Sequence, residues 1–202
     1  MKAVLCKEYG PPESLVIEEV PSPEPGEGQV LIEVHAASVN FPDVLIIENK
    51  YQFKPPLPFS PGGEVAGRVA KVGPGVTKVK EGDRIIGSCG WGGFVEEIVV
   101  DEARCTPIPD EMDYNTGSAF LMTYGTSHFA LRRRANIQPG ESLLVMGAAG
   151  GVGLAAVELG KAMGARVIAA ASTEDKLQVC RDHGADETIL YPSGEMSRDE
   201  QK

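Results

Sequence analysis

The sequence predicts a small all-β region followed by an α/β region built on parallel strands. Up to about Pro109, short apolar runs are separated by Gly and Pro, and several runs alternate apolar and polar residues as half-buried antiparallel strands do. From about Tyr114, helix-like and strand-like runs alternate, which is the pattern of βαβ units. We therefore divide the chain into a first domain, residues 1–113, and a second domain, residues 114–202.

The first domain contains six predicted strands between turn-forming segments. These strands are Lys2–Cys6, Leu15–Val20, Gln29–Ala36, Gly63–Val72, Asp83–Ile86 and Phe94–Val100. Residues 21–28 and 55–61 are rich in proline, which has no N–H to donate to a β-ladder. Both stretches are therefore predicted loops.

The second domain starts with a predicted helix over Asn115–Arg133 and a turn at residues 137–141. The elements that follow are a strand over Ser142–Met146, a helix over residues 154–164, a strand over Ala165–Ala171, a helix over Glu174–His183 and a strand over Glu187–Leu190. This order predicts a parallel sheet covered by helices.

A glycine-rich turn at residues 147–153 joins the first strand of this domain to its helix. Strand, glycine turn, helix and strand form the dinucleotide-binding βαβ unit, in which glycines let the backbone approach a pyrophosphate and let the helix pack on the strand. Ala148 stands where the usual fingerprint has its first glycine, and a glycine cluster alone can mark only a tight turn. The residues that we expect at the phosphates are Gly150, Gly151, Val152 and Gly153.

Composition limits the classes of function. The 202 residues allow one large domain or two small ones, and 42% are hydrophobic, which is enough for a core. The net charge of −10 argues against sequence-independent binding to nucleic acid or to an anionic membrane, because both need clustered cations. The one basic run, residues 132–134, is interpreted as a solvated patch.

The cysteines and the N-terminal segment indicate a reducing compartment. The four cysteines are far apart and form no Cys-x-x-Cys pair, so neither a zinc knuckle nor a disulfide framework is predicted. The first residues lack the apolar core of a signal peptide, and no run approaches the ~18 apolar residues of a membrane helix. We expect a cytoplasmic protein, with an organelle matrix as the alternative.

Seven motifs, spread over nearly the whole chain, resemble those of one family. They are residues 1–4, 37–43 (ASVNFPD), 61–67 (PGGEVAG), 79–84 (VKEGDR), 122–126 (MTYGT), 148–153 (AAGGVG) and 183–189 (HGADETI). The chain resembles the zinc-independent quinone oxidoreductase branch of the medium-chain dehydrogenase/reductase superfamily. The resemblance implies a GroES-like, β-rich N-terminal domain followed by a Rossmann domain with a doubly wound parallel sheet, and an active site in the cleft between them.

The resemblance also bears on metal binding. Zinc-dependent relatives have a Cys ligand at the position of Asn40 and a His ligand at the position of Gly63. Asn is a poor zinc ligand and Gly is none, whereas a catalytic zinc needs about three protein ligands. Glu64 remains, and we interpret it as structural. A metal-free protein is therefore predicted.

The choice of cofactor depends on the end of the second strand of the Rossmann unit. NAD-binding versions have an acidic residue there, which binds the ribose 2′-OH. This strand instead ends in small and hydroxyl-bearing residues, Ala169–Thr173, so a 2′-phosphate is not repelled. Ser172 can donate a hydrogen bond to that phosphate, Lys176 supplies a cation, and the resemblance adds Tyr191. NADPH is thus predicted over NADH.

An alternative for the same residues is purely structural. Ser172 or Thr173 can cap the helix that follows, with Asp175 as a capping-box partner. Both roles can coexist. The neighbouring carboxylates of Glu174 and Asp175 would disfavour a phosphate if they turned inward.

The implied chemistry is hydride transfer from the nicotinamide to a quinone or to the β-carbon of an α,β-unsaturated carbonyl. Such a reaction needs a donor near the acceptor's oxygen, where charge develops. By resemblance, Asn40 and Tyr51 are the candidates, while Leu45 replaces a second tyrosine of some relatives. Thr123 and Thr126 resemble residues that touch the nicotinamide. The structural alternatives are that Asn40 only satisfies a turn and that Tyr51 only packs. No catalytic role is predicted for His35, His128 or His183.

Length sets the main alternative. Members of the family continue beyond the third Rossmann strand, whereas this sequence stops at Lys202. We therefore expect a C-terminally truncated form with a partial Rossmann domain, an open sheet edge and uncovered apolar faces. The alternative to an enzyme is a non-catalytic fragment or isoform that retains partial nucleotide binding. An enoyl thioester is the alternative acceptor, and a homodimer is possible for a full-length form.

Overall fold

A computed structural model describes residues 1–191. The chain divides into an N-terminal unit, Met1–Met122, and a C-terminal unit that begins at Thr123. The predicted division between residues 113 and 114 stays a prediction. None of the helices among residues 1–191 combines the length and the hydrophobicity that a membrane span needs.

Antiparallel strands build the N-terminal unit. They are β1 (Lys2–Leu5), β2 (Val16–Glu19), β3 (Gln29–Ala37), β4 (Glu64–Val72), β5 (Arg84–Ser88), β6 (Glu97–Asp101) and β7 (Cys105–Pro107). β1 pairs with β2, and the other five form one sheet in the order β6-β3-β4-β5-β7. All six predicted strands are present with shifted ends, while β7 was not predicted. Apolar side chains of β3, β4 and β5 form the core of this sheet.

One glycine makes the central strand pair possible. A Cβ at Gly67 on β4 would collide with the carbonyl oxygen of Glu33 on β3. The two strands approach closely here, beside a register shift between Val34 and Ala36. Such irregularities bend a strand and increase its twist, which helps the sheet to curl around its core.

A short helix that the sequence analysis did not predict follows β3. α1 spans Phe41–Ile47, and Asn40 is its N-cap. The backbone N–H of Asn40 donates to Asp43 Oδ2 at 2.7 Å, so an acidic side chain at the third helical position closes the first turn. The helix then buries Ile46 and Ile47 against Phe59.

The predicted helix over Asn115–Arg133 is wrong as a single element. The segment contains α2 (Tyr114–Ser118), a π-helical stretch (Leu121–Gly125), α3 (Thr126–His128) and a second π-helical stretch (Phe129–Ala135). Glycines and β-branched residues in the first half form helix poorly, which favours interruption. The segment ends at Asn136, which adopts a left-handed conformation with φ 50°.

The C-terminal unit contains a three-stranded parallel sheet. Its elements are β8 (Ser142–Met146), α4 (Gly151–Ala162), β9 (Arg166–Ala171), α5 (Glu174–Asp182) and β10 (Glu187–Leu190), and the strand order is β10-β9-β8. The prediction of a β-rich domain followed by a partial Rossmann domain is confirmed. Ala148, Val157, Val167 and Cys180 are fully buried in the core of this unit. Leu144 and Met146 on β8 are more than half exposed.

Candidate active site

The glycine turn leaves the end of β8 in a conformation that only glycine adopts easily. Gly147 has φ +63°, in the left-handed region. The N–H of Ala148 donates to Ala170 O on β9 at 3.0 Å, so the turn stays attached to the sheet. Gly150 is then the N-cap of α4, which begins at Gly151. The chain thus passes from strand to helix within four residues.

Two glycines of the turn lie in close contact with their surroundings. A Cβ at Gly153 would lie 2.5 Å from Gly147 O and 2.8 Å from Ala148 Cα. Gly153 therefore lets the helix pack onto the turn. A Cβ at Gly151 would lie 3.0 Å from the Thr123 methyl carbon. The first N–H groups of a helix have no intrahelical acceptor and favour anions, so this end of α4 can bind a phosphate.

A cavity of about 160 Å³ opens beside this turn. Its lining includes Gly147 and Gly150 together with the three residues that the sequence assigned to a 2′-phosphate, Ser172, Lys176 and Tyr191. Lys176 Nζ donates to Ser172 Oγ at 3.3 Å. Residues that carry a cation, a hydroxyl and an aromatic ring therefore line one small cavity, and their binding role stays a prediction.

The capping alternative is resolved in favour of Thr173. Its hydroxyl oxygen accepts a hydrogen bond from the N–H of Lys176 at 3.3 Å, and Thr173 is the N-cap of α5. Ser172 is not the cap, so the capping box that would pair it with Asp175 is wrong. Ser172 instead lines the cavity together with Lys176, from which its hydroxyl oxygen accepts a hydrogen bond.

The acidic residues of the same helix do not line the cavity. Glu174 pairs with Arg181, which lies two turns along α5, and neither Glu174 nor Asp175 is part of the cavity wall. The electrostatic repulsion between these carboxylates and a bound phosphate, which the sequence left open, is therefore reduced. Lys176 remains the cation at this position.

The segment predicted to touch the nicotinamide packs along α4. The methyl group of Thr123 lies against Gly151, and Ser127 Oγ donates to Val152 O at 2.7 Å. Thr126 is exposed at the start of α3. Thr123 is thus held at the glycine turn, and the contact of both threonines with a cofactor stays a prediction.

In the N-terminal unit, Asn40 belongs to a network that ends on a buried carboxylate. Asn40 Nδ2 donates to Ser38 Oγ at 2.9 Å, and Ser38 Oγ donates to Glu64 Oε1 at 3.0 Å. The N–H of Met122 donates to Glu64 Oε2 at 2.9 Å. Burial raises the pKa of Glu64, and the hydrogen bonds from Met122, Ser38 and Asn40 oppose that rise.

A second buried carboxylate, Asp43, holds the neighbouring backbone. Its Oδ1 accepts from the N–H of Gly62 at 3.1 Å, while its Oδ2 accepts from Asn40. Burial raises the pKa of Asp43, against the hydrogen bonds from the backbone of Asn40, Gly62 and Gly63. Asp43 therefore fixes the loop at residues 62–63 to the start of α1.

Two further residues that the sequence analysis singled out in this unit, Tyr51 and Leu45, lie outside the hydrogen-bond network of Asn40. Tyr51 is half-buried and packs against the cluster that contains Ile46 and Phe59. Leu45 is half-buried on α1. A direct role for Asn40 or Tyr51 at an acceptor stays a prediction, because the observed contacts also satisfy their structural interpretation.

The residues at the zinc position of the relatives do not fit a metal. Asn40 and Glu64 are engaged with Ser38 and the backbone, and Gly63 offers no side chain. A Cβ at Gly63 would lie 3.1 Å from the Met122 methyl carbon, so a larger residue there would require the Met122 side chain to move. Among residues 1–191, no group of three or more His, Cys, Asp or Glu side chains could hold a metal ion.

Sequence reasoning missed the partners that build these arrangements. Asp43 could have been found, since it stands three residues after Asn40, the spacing of a capping box. Glu158 gave no local signal, because it contacts Tyr124 and His183, which are 34 and 25 residues away in the sequence.

Two family models match the chain over separate segments. The alcohol dehydrogenase GroES-like domain matches residues 26–110, and the zinc-binding dehydrogenase family matches residues 151–201. These matches coincide with the antiparallel sheet and with the unit that follows the glycine turn. The chain belongs to the medium-chain dehydrogenase/reductase superfamily. The recognition of this superfamily from the sequence motifs is confirmed.

Relatives in this superfamily are named quinone oxidoreductases. The chain is 43% identical over 193 residues to quinone oxidoreductase-like protein 2 homolog of Nematostella vectensis, covering 94% of this chain and 52% of that protein. It is 41% identical over 197 residues to quinone oxidoreductase-like protein 2 of Bos taurus, covering 96% and 56%. The chain thus spans little more than half the length of these relatives.

Solved structures of the superfamily share the fold. Escherichia coli quinone oxidoreductase, crystallised with NADPH, superposes with a TM-score of 0.90 at 32% identity, covering 95% of this chain and 59% of that one. The Thermus thermophilus quinone oxidoreductase gives a TM-score of 0.85 at 37% identity, covering 95% and 60%. The predicted fold therefore agrees with experimental structures of the family.

Proposed function

We propose that this chain carries the nucleotide-binding machinery and part of the acceptor site of an NADPH-dependent oxidoreductase. The observation that carries the proposal is the cavity beside the glycine turn, where Ser172, Lys176 and Tyr191 meet. Superfamily members named quinone oxidoreductase, one of them crystallised with NADPH, support the choice of reaction and cofactor.

The residues of the cavity fit the 2′-phosphate of NADP. The ammonium of Lys176 and the hydroxyl of Ser172 stand 3.3 Å apart, a spacing that lets both donate to one phosphate group. The pyrophosphate would lie at the N-terminal end of α4, where the backbone of Gly151 and Val152 faces it and the helix dipole favours negative charge. Thr123 and Thr126 would then contact the nicotinamide part.

When bound, NADPH would supply the hydride, and the protein would supply position and electrostatics. Asn40 and Tyr51 are the proposed donors toward the acceptor's oxygen. Asn40 is oriented through Ser38 and the buried Glu64, so its amide has a fixed direction in which to act. Such pre-oriented donors stabilise developing negative charge without reorganisation.

The proposed acceptor is a quinone or an α,β-unsaturated carbonyl, and the proposed reaction uses no zinc. The donor set around Gly63 argues for this, because its two carboxylates, Asp43 and Glu64, are both engaged in hydrogen bonds within the protein, where about three free ligands are needed. We keep a cytoplasmic location as the proposal, and a homodimer as the proposed state of a longer form.

Calorimetric titration of the chain with NADPH and NADH tests the cofactor site. Lys176→Ala should weaken NADPH binding roughly tenfold, since it removes a charged donor, and should leave NADH binding unchanged. Lys161→Ala is the matched control, because Lys161 pairs with Asp186 and does not line the cavity. An unchanged preference for NADPH in Lys176→Ala would contradict the assignment.

Steady-state oxidation of NADPH with a simple quinone tests the reaction. Turnover on the order of 1 s⁻¹, the low end of ordinary enzymes, would support the oxidoreductase. A folded chain that binds NADPH without turnover would instead support the fragment with nucleotide binding alone. A short enoyl thioester is the second acceptor to assay.

A further inference from the structure

Three polar side chains of the C-terminal unit form a chain of hydrogen bonds outside the cavity. The hydroxyl of Tyr124 donates to Glu158 Oε2. Glu158 Oε1 lies 2.5 Å from His183 Nδ1. The three residues come from the π-helical stretch, from α4 and from the C-cap of α5. One carboxylate thus joins three segments that are distant in the sequence.

The protonation states follow from the contacts. The hydrogen bonds from Tyr124 and His183 lower the pKa of Glu158, so its carboxylate is ionised near neutral pH. An ionised carboxylate only accepts, so the bonded Nδ1 of His183 carries a hydrogen. The hydrogen bond to Glu158 raises the pKa of Tyr124, which keeps the phenol protonated as the donor. The network therefore has one direction, with both outer groups donating to Glu158.

Glu158 lies on the same face of α4 as Gly151, the first residue of the helix. Residues 151 and 158 are seven apart, which is about two helical turns, so Gly151 and Glu158 project to the same side. The segment that carries Tyr124 contacts this side twice more. The Thr123 methyl group lies at Gly151, and Ser127 Oγ donates to Val152 O at 2.7 Å.

The segment at residues 121–128 is thus anchored to α4 at two places, and each anchor constrains it differently. The contacts of Thr123 and Ser127 fix the segment at the first turn of α4, where the phosphates are proposed to bind. The Tyr124–Glu158 bond fixes it two turns further along the helix. Two separated anchors set both the position and the direction of a segment, whereas one anchor leaves a rotation free. His183 holds the Glu158 side chain from the opposite oxygen.

We propose that Tyr124, through Glu158 and His183, is a positioning residue that holds Thr123 at the mouth of the glycine turn and thereby sets the fit of the nicotinamide half of the cofactor. This inference rests on the proposed function. The adenosine 2′-phosphate half would be held by Ser172 and Lys176, and the hydrogen bond described for this pair runs between the two of them rather than to Glu158 or His183. The network should therefore affect one half of the cofactor and not the other.

Two ligands separate the halves. Calorimetry with NADPH reads the whole site, and 2′,5′-ADP reads the adenosine half alone. Tyr124→Phe and Glu158→Gln should each weaken NADPH binding roughly fivefold and leave 2′,5′-ADP binding unchanged. Thr188→Val is the matched control, since it removes the 3.0 Å hydrogen bond from Arg181 Nη1 elsewhere in the unit and should change neither affinity.

Other outcomes overturn the inference in distinguishable ways. Equal weakening of both ligands, or no change in either, would show that the network has only a general structural role. Failure of the unmutated chain to bind 2′,5′-ADP would instead contradict the proposed function.

Amide hydrogen exchange of residues 121–128 tests the anchor without any nucleotide. Exchange should be faster in Tyr124→Phe and Glu158→Gln than in Thr188→Val. Identical exchange in all three variants would refute the positioning role whatever the binding result.

Discussion

The two units differ in where they place their charged side chains and in what those side chains contact. In the N-terminal unit, Asp43 and Glu64 are buried carboxylates whose oxygens accept from backbone N–H groups and from Ser38. In the C-terminal unit, Lys176 is exposed beside an open cavity and touches Ser172 at 3.3 Å. One arrangement is satisfied by the protein itself, and the other presents its charge to a ligand.

The contrast shows how rigidity and binding capacity are separated in this chain. A buried carboxylate with several donors specifies one geometry, because any rearrangement leaves a polar group unpaired at a cost of about 1–3 kcal/mol. An exposed lysine keeps its rotamer freedom until an anion orders it. The network around Glu64 therefore fixes where Asn40 points, whereas Lys176 should become ordered on binding.

The largest expected effect comes from removing the buried carboxylate of Glu64 in the N-terminal unit. Glu64→Leu leaves the donors of Met122 and Ser38 without their acceptor, and it should lower the free energy of unfolding of the N-terminal unit by about 3 kcal/mol. Urea unfolding followed by the fluorescence of Trp91, the one tryptophan in the sequence, reads this unit.

Glu24→Leu is the matched control for that experiment. It removes an exposed carboxylate of the same unit, which pairs with Lys71, and should cost no more than about 0.5 kcal/mol. A Glu64→Leu variant as stable as Glu24→Leu would mean that the desolvation of Glu64 cancels its hydrogen bonds.

A smaller effect is expected from breaking the turn of the C-terminal unit. Gly153→Ala places a methyl group 2.5 Å from Gly147 O, and this overpacking should cost about 2 kcal/mol in spite of the better helix propensity of alanine. Amide exchange of α4 and α5 measures the loss.

Gly125→Ala is the comparison variant for Gly153→Ala. Gly125 has φ −61°, and apart from its chain neighbours and the backbone of its own helix no described atom lies within 4 Å of a Cβ there. This variant should be neutral or more stable by up to about 1 kcal/mol. Equal losses in the two variants would refute the close-packing role of Gly153.

The smallest expected effect is a difference between the two units in how their stability depends on pH. Burial raises the pKa of Asp43 and Glu64 above 3.8 and 4.5, so their contribution to stability is full below those values and is lost as pH rises through the folded-state pKa. Glu158 and Asp186 have lowered pKa values, so their contribution holds above 4.5 and 3.8 and is lost on further acidification. As the pH falls from 7 toward the raised pKa values of Asp43 and Glu64, the N-terminal unit should gain stability, whereas Glu158 and Asp186 give the C-terminal unit no such gain.

Unfolding at pH 7 and pH 5, read by Trp91 for one unit and by amide exchange of α5 for the other, measures this difference. Glu102 and Asp113 in the N-terminal unit have lowered pKa values and lose their contribution only below this range. Glu64→Gln should reduce the gain. A parallel change in both units would contradict the opposite signs.

The strands and the βαβ unit could be predicted because their signals are local. Apolar runs bounded by turn residues placed β8, β9 and β10 almost at their observed ends, and the strand over Glu187–Leu190 agrees at both. The hydroxyl of Ser172 and the cation of Lys176 could also be predicted, because the two residues are only four positions apart in the sequence. Family motifs supplied the rest of the fold class.

Other features depend on contacts that no local pattern records. α1 was missed because its sequence, Phe-Pro-Asp-Val-Leu-Ile-Ile, is rich in β-branched residues, and its cap decides the helix. The sequence predicts one helix for the interrupted segment after Tyr114, since a π-helical turn shifts the apolar face without changing composition. The acceptors of Tyr124 and Ser38 are set by tertiary packing.

The position of the left-handed residue in the glycine turn has a consequence for reading other genomes. In this loop Gly147 takes the positive φ, while Ala148, at the first position of the usual fingerprint, is fully buried and hydrogen-bonded to Ala170. Pattern scans that require three glycines at fixed offsets would pass over such a loop. A scan that asks for a glycine at the strand exit and another where the helix meets the turn would retain it.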